Sequence, residues 1–193
     1  MQTVINGKQN HDSGRMMADL HDALVELQNL SRTTDNNESC VKAVVFMSDD
    51  PTFFCSGGDL DTVRAILNHE GGYKMATLMQ DVHWRLAFSD FLTVALVRGR
   101  AIGGGAELTT ATDLRVFSPD ASLSFVQSSM SISTGWGGGS RLAAIVGRRS
   151  ALRLLLEKGG VYFSALLVSN GLIKTLRAKI DCRFDVQIHA KQV

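Results

Sequence analysis

One glutamate, placed a helical turn beyond three consecutive glycines, is the arrangement in this chain best suited to chemistry. The segment reads Gly99-Arg-Ala-Ile-Gly-Gly-Gly-Ala-Glu107-Leu-Thr-Thr-Ala-Thr-Asp113 and follows the apolar run Thr93-Val-Ala-Leu-Val97. Glycine lacks a Cβ, so Gly103, Gly104 and Gly105 let a ligand approach the backbone N–H groups closely. At a helix start those donors lack intrahelical acceptors, and the peptide dipoles favour negative charge. A strand, a glycine turn and a helix start can cradle an anionic oxygen. Glu107 would then be near enough to give or take a proton. The same residues also fit a tight strand-to-helix turn with a solvated glutamate, and the segment alone leaves both readings open.

A second glycine pair, Gly57-Gly58, precedes Asp59 and follows the β-branched run Val41-Lys-Ala-Val-Val-Phe-Met47. If the two apolar runs are parallel neighbours, both glycine loops lie at one edge of a sheet, where open α/β folds bind ligands. Two N–H groups from separate loops could then meet on one oxygen. Neither a dinucleotide fingerprint nor a phosphate-loop pattern is present.

The elements that must hold these loops alternate between strands and helices. A first helix, capped by Asp12 or Ser13, carries Met17, Leu20, Leu24 and Leu27 at helical spacing, with a polar loop over 31–39. Helices are predicted over about 60–68 and 73–88, and strands over 41–47, 93–97, 114–117 and 122–126, the last two separated by the turn Ser118-Pro-Asp120. A third glycine cluster, Gly135-Trp-Gly-Gly-Gly-Ser140, leads into helical patterns over 141–146 and 150–157. The alternation predicts an α/β fold of parallel strands in a single domain.

Composition narrows the partners. The chain has 193 residues, 45% hydrophobic and 20% charged, which suits one soluble domain. Twenty Lys+Arg against 19 Asp+Glu give net +1, so neither nucleic acid nor an acidic membrane surface is indicated. Cys40, Cys55 and Cys182 lack metal-ligand spacing and read as free thiols, with no metal site. The apolar runs 91–97 and 161–168 are too short to span a bilayer, no leader pattern is present, and the cytosol is the default compartment.

Four blocks in order carry a family likeness: Phe53-Phe-Cys-Ser-Gly-Gly-Asp-Leu60, Val97-Arg-Gly-Arg-Ala-Ile-Gly-Gly-Gly-Ala-Glu-Leu108, Thr112-Asp-Leu-Arg115 and Gly135-Trp-Gly-Gly-Gly-Ser-Arg-Leu142. Together they resemble the crotonase (enoyl-CoA hydratase/isomerase) superfamily, and among its members those that decarboxylate short branched malonyl-CoA thioesters. The likeness is good over about 10–146 and fades through 164–173. It implies a crotonase-like spiral of ββα units and an acyl-CoA substrate that carries its own coenzyme A, with no further cofactor. By the same likeness the N–H groups of Gly58 and Gly104 form an oxyanion hole and Glu107 is a catalytic glutamate, able to quench a carbanion if protonated or to orient the substrate if ionised. Cys55, Ser56, Gly57, Gly103, Gly105 and Trp136 would line the substrate site.

The departures from the family pattern bear on the reaction. The second glutamate of hydratases would fall in Val126-Gln-Ser-Ser-Met-Ser-Ile132, which holds no acid; Gln127 is its nearest equivalent. Adding water takes two carboxylates, so decarboxylation of ethylmalonyl-CoA or methylmalonyl-CoA is the leading expectation. An isomerase-like reaction using one glutamate is the second. Related decarboxylases carry Gly-Ile-Ile-Pro before the tryptophan, where this chain has Ser131-Ile-Ser-Thr134. Residues 1–176 read as a crotonase-like domain lacking the first strand hairpin and the C-terminal helices, and 177–193 as an atypical tail. The family forms homotrimers or dimers of trimers, so a truncated, non-catalytic homologue associating with full-length subunits is the third expectation.

The remaining residues read as structural. Asp59 is expected to cap a helix, Asp113 to pair near a helix end, Cys55 to fill core, and Met16-Met17 to pack. Trp136 suits either core or site. His11, His21, His69, His83 and His189 have no motif partners and read as surface or satisfied polar groups.

Overall fold

The computed structural model describes residues 2–5, 11–12, 14–32, 41–66, 68–157 and 161–162. In chain order these form β1 (Gln2–Ile5), β2 (His11–Asp12), α1 (Gly14–Arg32), β3 (Ala43–Ser48), β4 (Phe53–Cys55), β5 (Gly57–Gly58), α2 (Leu60–Ala65), α3 (His69–Ala87), β6 (Leu92–Val97), β7 (Arg100–Ile102), α4 (Gly104–Thr109), β8 (Leu114–Phe117), β9 (Ser122–Ser124), a 3₁₀ turn (Val126–Met130), α5 (Gly138–Val146), α6 (Arg148–Leu156) and β10 (Val161–Tyr162). The tail 177–193 and the likeness over 164–173 lie outside the described residues.

Each turn of the chain adds one strand to each of two sheets and then a helix. β3, β6 and β8 extend a parallel sheet in the order β1-β3-β6-β8, while β4, β7 and β9 extend a second in the order β10-β9-β7-β4. Gln2–Ile5 runs parallel to β3, in register from Gln2↔Val45 to Ile5↔Ser48. The repeating strand–strand–helix unit is the expected ββα spiral. It brings the ends of β4 and β7, which lead into the two glycine loops, side by side.

The first sheet shows why its strands hold. β3 buries Val44, Phe46 and Ser48, and β6 buries Thr93, Ala95 and Val97, so alternate residues face the core. Against them lie Met17, Leu20, Leu24 and Leu27 of α1, together with Met79, Val82 and Leu86 of α3. The expected first helix and its apolar spacing are present; its cap residues fall outside the described side chains. A second cluster, Ala106, Phe125, Leu142 and Ala151, joins α4 to α5 and α6.

Several boundaries differ from expectation. The helix predicted over 60–68 ends at Ala65, and α3 begins at His69 rather than near 73. Gly71 and Gly72 argue locally against helix. Asn68 overrides them, its Oδ1 accepting from the Gly71 N–H at 2.8 Å as an N-cap. The strand predicted over 122–126 stops at Ser124, and Val126–Met130 winds into the 3₁₀ turn. Gly57–Gly58 is a short strand beside β2 rather than open loop. The last two helices start earlier than predicted, at Gly138 and Arg148.

Two aspartates do what their positions suggest. Asp59 caps α2, its Oδ2 accepting from Thr62 N at 3.0 Å and Thr62 Oγ1 at 2.7 Å. Asp113 ties β8 to β6: its Oδ2 accepts from Thr93 N at 2.8 Å and Thr93 Oγ1 at 2.7 Å, and its own N–H donates to Thr93 Oγ1 at 2.9 Å. Thr93 is fully buried, so losing the carboxylate leaves a buried N–H without that acceptor. Asp113→Ala is therefore expected to destabilise the fold by about 1–3 kcal/mol. Thermal unfolding should fall by roughly 2–4 °C for each kcal/mol lost, with Asp113→Asn falling less; an unchanged melting temperature would remove this tie from the account.

Candidate active site

The two glycine loops touch. Gly57 has φ +89°, and a Cβ there would sit 2.7 Å from the Ile102 carbonyl oxygen and 2.9 Å from Gly104 N, so only glycine fits. Gly103, at φ +56°, turns the chain from β7 into α4 and serves as its N-cap. Gly105 backs directly onto Cys55, where an added Cβ would lie 2.7 Å from the Cys55 Cβ. Cys55 is buried outside any disulfide, and its Sγ accepts from Gly57 N at 3.5 Å. Ser56 is half-buried between β4 and β5. The structure thus brings Cys55, Gly57, Gly103, Gly104 and Gly105 together, with Ser56 joining β4 to β5 and Gly58 ending β5.

Trp136 closes this group from the third glycine cluster. Its indole packs so tightly on Gly104 that any Cβ there would overlap the ring, and its Cζ2 lies 3.8 Å from the Cβ position of Gly58. The side chain is buried and belongs to the main core. One ring therefore rests on both glycines from which the sequence predicted oxyanion donors.

Glu107 is not solvated. It is 2% exposed on α4, all of whose residues are buried. Three donors hold its carboxyl: Gln127 Nε2 reaches Oε1 at 2.8 Å, while the backbone N–H groups of Trp136 and Gly138 reach Oε2 at 3.1 and 2.8 Å. A carboxylate offers about four acceptor positions. Both on Oε2 are taken and one on Oε1 is taken, which leaves one on Oε1 among the described residues. Gly138 must be glycine for this, since a Cβ would press to 2.8 Å from the Glu107 Cβ. Burial pushes the Glu107 carboxyl above its ordinary value of 4.5; the Gly138, Trp136 and Gln127 donors and the Arg141 charge pull it back only in part.

Arg141 supplies the positive charge here. Its Nη2 donates to the Trp136 carbonyl at 2.9 Å and its Nε to Thr110 Oγ1 at 3.0 Å. The Thr110 hydroxyl in turn donates to the Glu107 carbonyl at 2.6 Å. Burial lowers the Arg141 pKa, and Glu107 counters it. Behind Trp136 stands His83 of α3, its ring centroid 6.0 Å from the indole and tilted by 34°. His83 is fully buried and neither ring nitrogen has a hydrogen-bond partner among the described residues, contrary to the surface or satisfied role expected of it. Burial, aided by the Arg141 charge, holds it at about 3, so its ring is neutral; the nearby Met79 carbonyl favours the charged form but does not bond it.

Sequence reasoning missed Arg141 and His83 as members of this group. His83 carries a signal in hindsight: Met79, Val82, His83 and Leu86 repeat at helical spacing, and the histidine lies on the buried stripe. Arg141 has no such signal, because its contacts come from other elements. Among the described residues no group of three metal-ligating side chains occurs, and no helix is long and apolar enough to cross a membrane.

Comparison with known proteins agrees with this geometry. The Enoyl-CoA hydratase/isomerase family pattern matches residues 8–182. The ethylmalonyl-CoA decarboxylase of Danio rerio is 44% identical over 155 residues, covering 79% of this chain and 48% of that protein. That of Gallus gallus is 40% identical over 152 residues, with the same coverage. The chain thus spans about half the length of these curated relatives. Among solved structures, an enoyl-CoA hydratase from Geobacillus kaustophilus superposes with TM-score 0.77 at 22% identity, covering 88% of this chain and 61% of that one. An enoyl-CoA hydratase from Thermoplasma volcanium gives 0.76 at 26%, covering 90% and 66%. With its two-sheet ββα spiral and its paired glycine loops, this chain belongs to the enoyl-CoA hydratase/isomerase family.

Proposed function

We propose that this protein decarboxylates a short branched malonyl-CoA thioester, ethylmalonyl-CoA or methylmalonyl-CoA, through an enolate held by its two glycine loops. The substrate brings its own coenzyme A and no other cofactor takes part. The observation that carries the reading is the buried Glu107 carboxyl, beside the paired glycine loops, with one open acceptor position on Oε1 and, among the described side chains, no second acid bonded to it. The decarboxylase relatives at about 40% identity support the same choice.

In this scheme the thioester oxygen lies against the N–H groups of Gly58 and Gly104. Cys55, Ser56, Gly57, Gly103, Gly105 and Trp136 form the walls. The bond between the α-carbon and the carboxylate breaks, carbon dioxide leaves, and the electron pair passes into the enolate. Each fixed donor to the enolate oxygen is worth about 3–4 kcal/mol in the transition state. Glu107, protonated on Oε1, then gives its proton to the α-carbon and keeps the O–H electron pair. A solvent proton restores the acid for the next turnover. Burial favours the acid form that this step needs. Gln127 stands where a second carboxylate would be and cannot activate water by taking its proton, which disfavours hydration.

Three measurements test the reading. Incubation with ethylmalonyl-CoA is expected to release carbon dioxide, while a 3-enoyl-CoA is left unchanged; conversion of the enoyl ester alone would favour isomerisation, and turnover of neither a non-catalytic homologue. Glu107→Ala should lower kcat by about 100- to 10,000-fold, the range for loss of a general acid, with acyl-CoA binding kept. Unaltered turnover would take Glu107 out of the chemistry. The third concerns stability. Because the folded protein raises the Glu107 carboxyl, this group contributes stability that is full below its ordinary value and is lost as pH rises through its raised value. Glu107→Gln carries no such proton, so the melting temperature of the wild type relative to this variant should fall as pH rises from the ordinary carboxyl value of 4.5 through the raised one. A constant difference would contradict the raised carboxyl.

A further inference from the structure

Gln127 is 7% exposed and makes one side-chain bond, from Nε2 to Glu107 Oε1 at 2.8 Å. Its own Oε1 is buried with no donor among the described residues. A buried amide oxygen left unpaired is unfavourable, and an explanation should be sought where one occurs. Glu107 supplies it. Its Oε2 is filled by two backbone donors that cannot move independently of the 136–138 turn, so a proton on this carboxyl sits on Oε1. In the present orientation an O–H on the Gln127 side of Oε1 would face an amide N–H₂, while one on the open side would still leave the Gln127 oxygen without a partner among the described residues. A half-turn of the amide pairs the O–H with this oxygen. The terminal torsion of glutamine is broad and close to two-fold, so this half-turn keeps the side chain in place.

We propose that Gln127 is a positioning residue whose amide turns over as Glu107 gains and loses its proton, donating through Nε2 to the carboxylate and accepting through Oε1 from the acid. Glu107 then keeps a hydrogen-bond partner in both states, and its carboxyl stays in place while the O–H turns from Gln127 to the open position on Oε1 to release the proton. A second carboxylate in the same position would repel the charged state instead. The surroundings suit this division of labour. Of the elements packed on α4, α5 contributes Arg141 as the permanent counter-charge, β4 the Cys55 thiol, and β7 the exposed Arg100, which stacks on the Phe53 ring at 4.1 Å. β5 is two glycines, the 126–130 turn has no charged residue, and His83 behind Trp136 stays neutral. The side chains of β2 lie outside the described residues.

The inference rests on Glu107 changing its proton, as in the proposed decarboxylation, yet it can be read without turnover. In the full chain labelled with ¹³C and ¹⁵N at glutamine and glutamate, the side-chain signals of Gln127 should move with pH at the same midpoint as the Glu107 carboxyl. The Gln127 carbonyl carbon should shift in the direction of an oxygen that gains a donor on acidification. Glu107→Gln gives an independent check. Its oxygen must stay on the two backbone donors, so its N–H₂ faces Gln127 and demands the turned amide. In that variant the Gln127 signals should be independent of pH and match the acid limit of the wild type. Gln127 signals that stay constant in the wild type, or that match the basic limit in Glu107→Gln, would overturn the proposal. Coupled titration in a protein that releases no carbon dioxide would reject the decarboxylase reading alone.

Discussion

Burial of one carboxyl group organises the site. An isolated carboxyl taken from water must be neutralised or given donors. Here Glu107 meets one side-chain amide, two backbone N–H groups and the nearby charge of Arg141. Supplying those donors requires four segments to meet: α4 for the acid, the 126–130 turn for Gln127, the 136–138 turn for the N–H pair, and α5 for Arg141. Gly138 has to lack a side chain so that the last of these can approach. The local fold of residues 103–141 is largely the set of conditions under which this group can be buried.

The glycine loops are tied to the acid through Trp136. Its N–H holds Glu107, its carbonyl takes Arg141, and its ring lies on Gly104 and near Gly58. Displacing the indole would therefore disturb both the glycine surface and the donor that holds the carboxyl. His83 backs the same ring with a neutral imidazole, unpaired among the described residues, which leaves Arg141 as the positive charge acting on Glu107. A protonated histidine there would further favour the ionised carboxyl and work against the acid form that the proposed decarboxylation uses.

Residues with special backbone or polar roles were the legible part of the sequence. The three glycine clusters marked the places where chain segments meet, the apolar spacing of α1 marked its buried face, and Asp59 and Asp113 announced a cap and a tie. What stayed hidden depended on contacts between distant segments. Glu107 on its own sequence is as compatible with solvent as with burial; the donors that settle it are 20, 29 and 31 positions away. The start of α3 was misplaced because two glycines outweigh one asparagine in local propensity, whereas the bond from Gly71 N to Asn68 decides the matter in the fold. Arg141 was quoted within a motif without a role, since its partners Thr110 and the Trp136 carbonyl are tertiary neighbours.

An amide rather than an acid at 127 shapes the whole electrostatic setting of Glu107. Two carboxyls sharing a buried pocket push one another toward protonation, and their proton affinities become properties of the pair. An amide removes that coupling and leaves Glu107 with a proton affinity set by burial, by fixed donors and by Arg141. Oε2 is closed to protons by its two backbone donors, so the exchangeable position is confined to Oε1, the atom that faces Gln127. The proposed decarboxylation, which delivers one proton to one carbon, needs a single acid with a single exit for its proton. The arrangement around Glu107 meets that requirement, whereas adding water across a double bond would need a second acid–base group, and residue 127 supplies none.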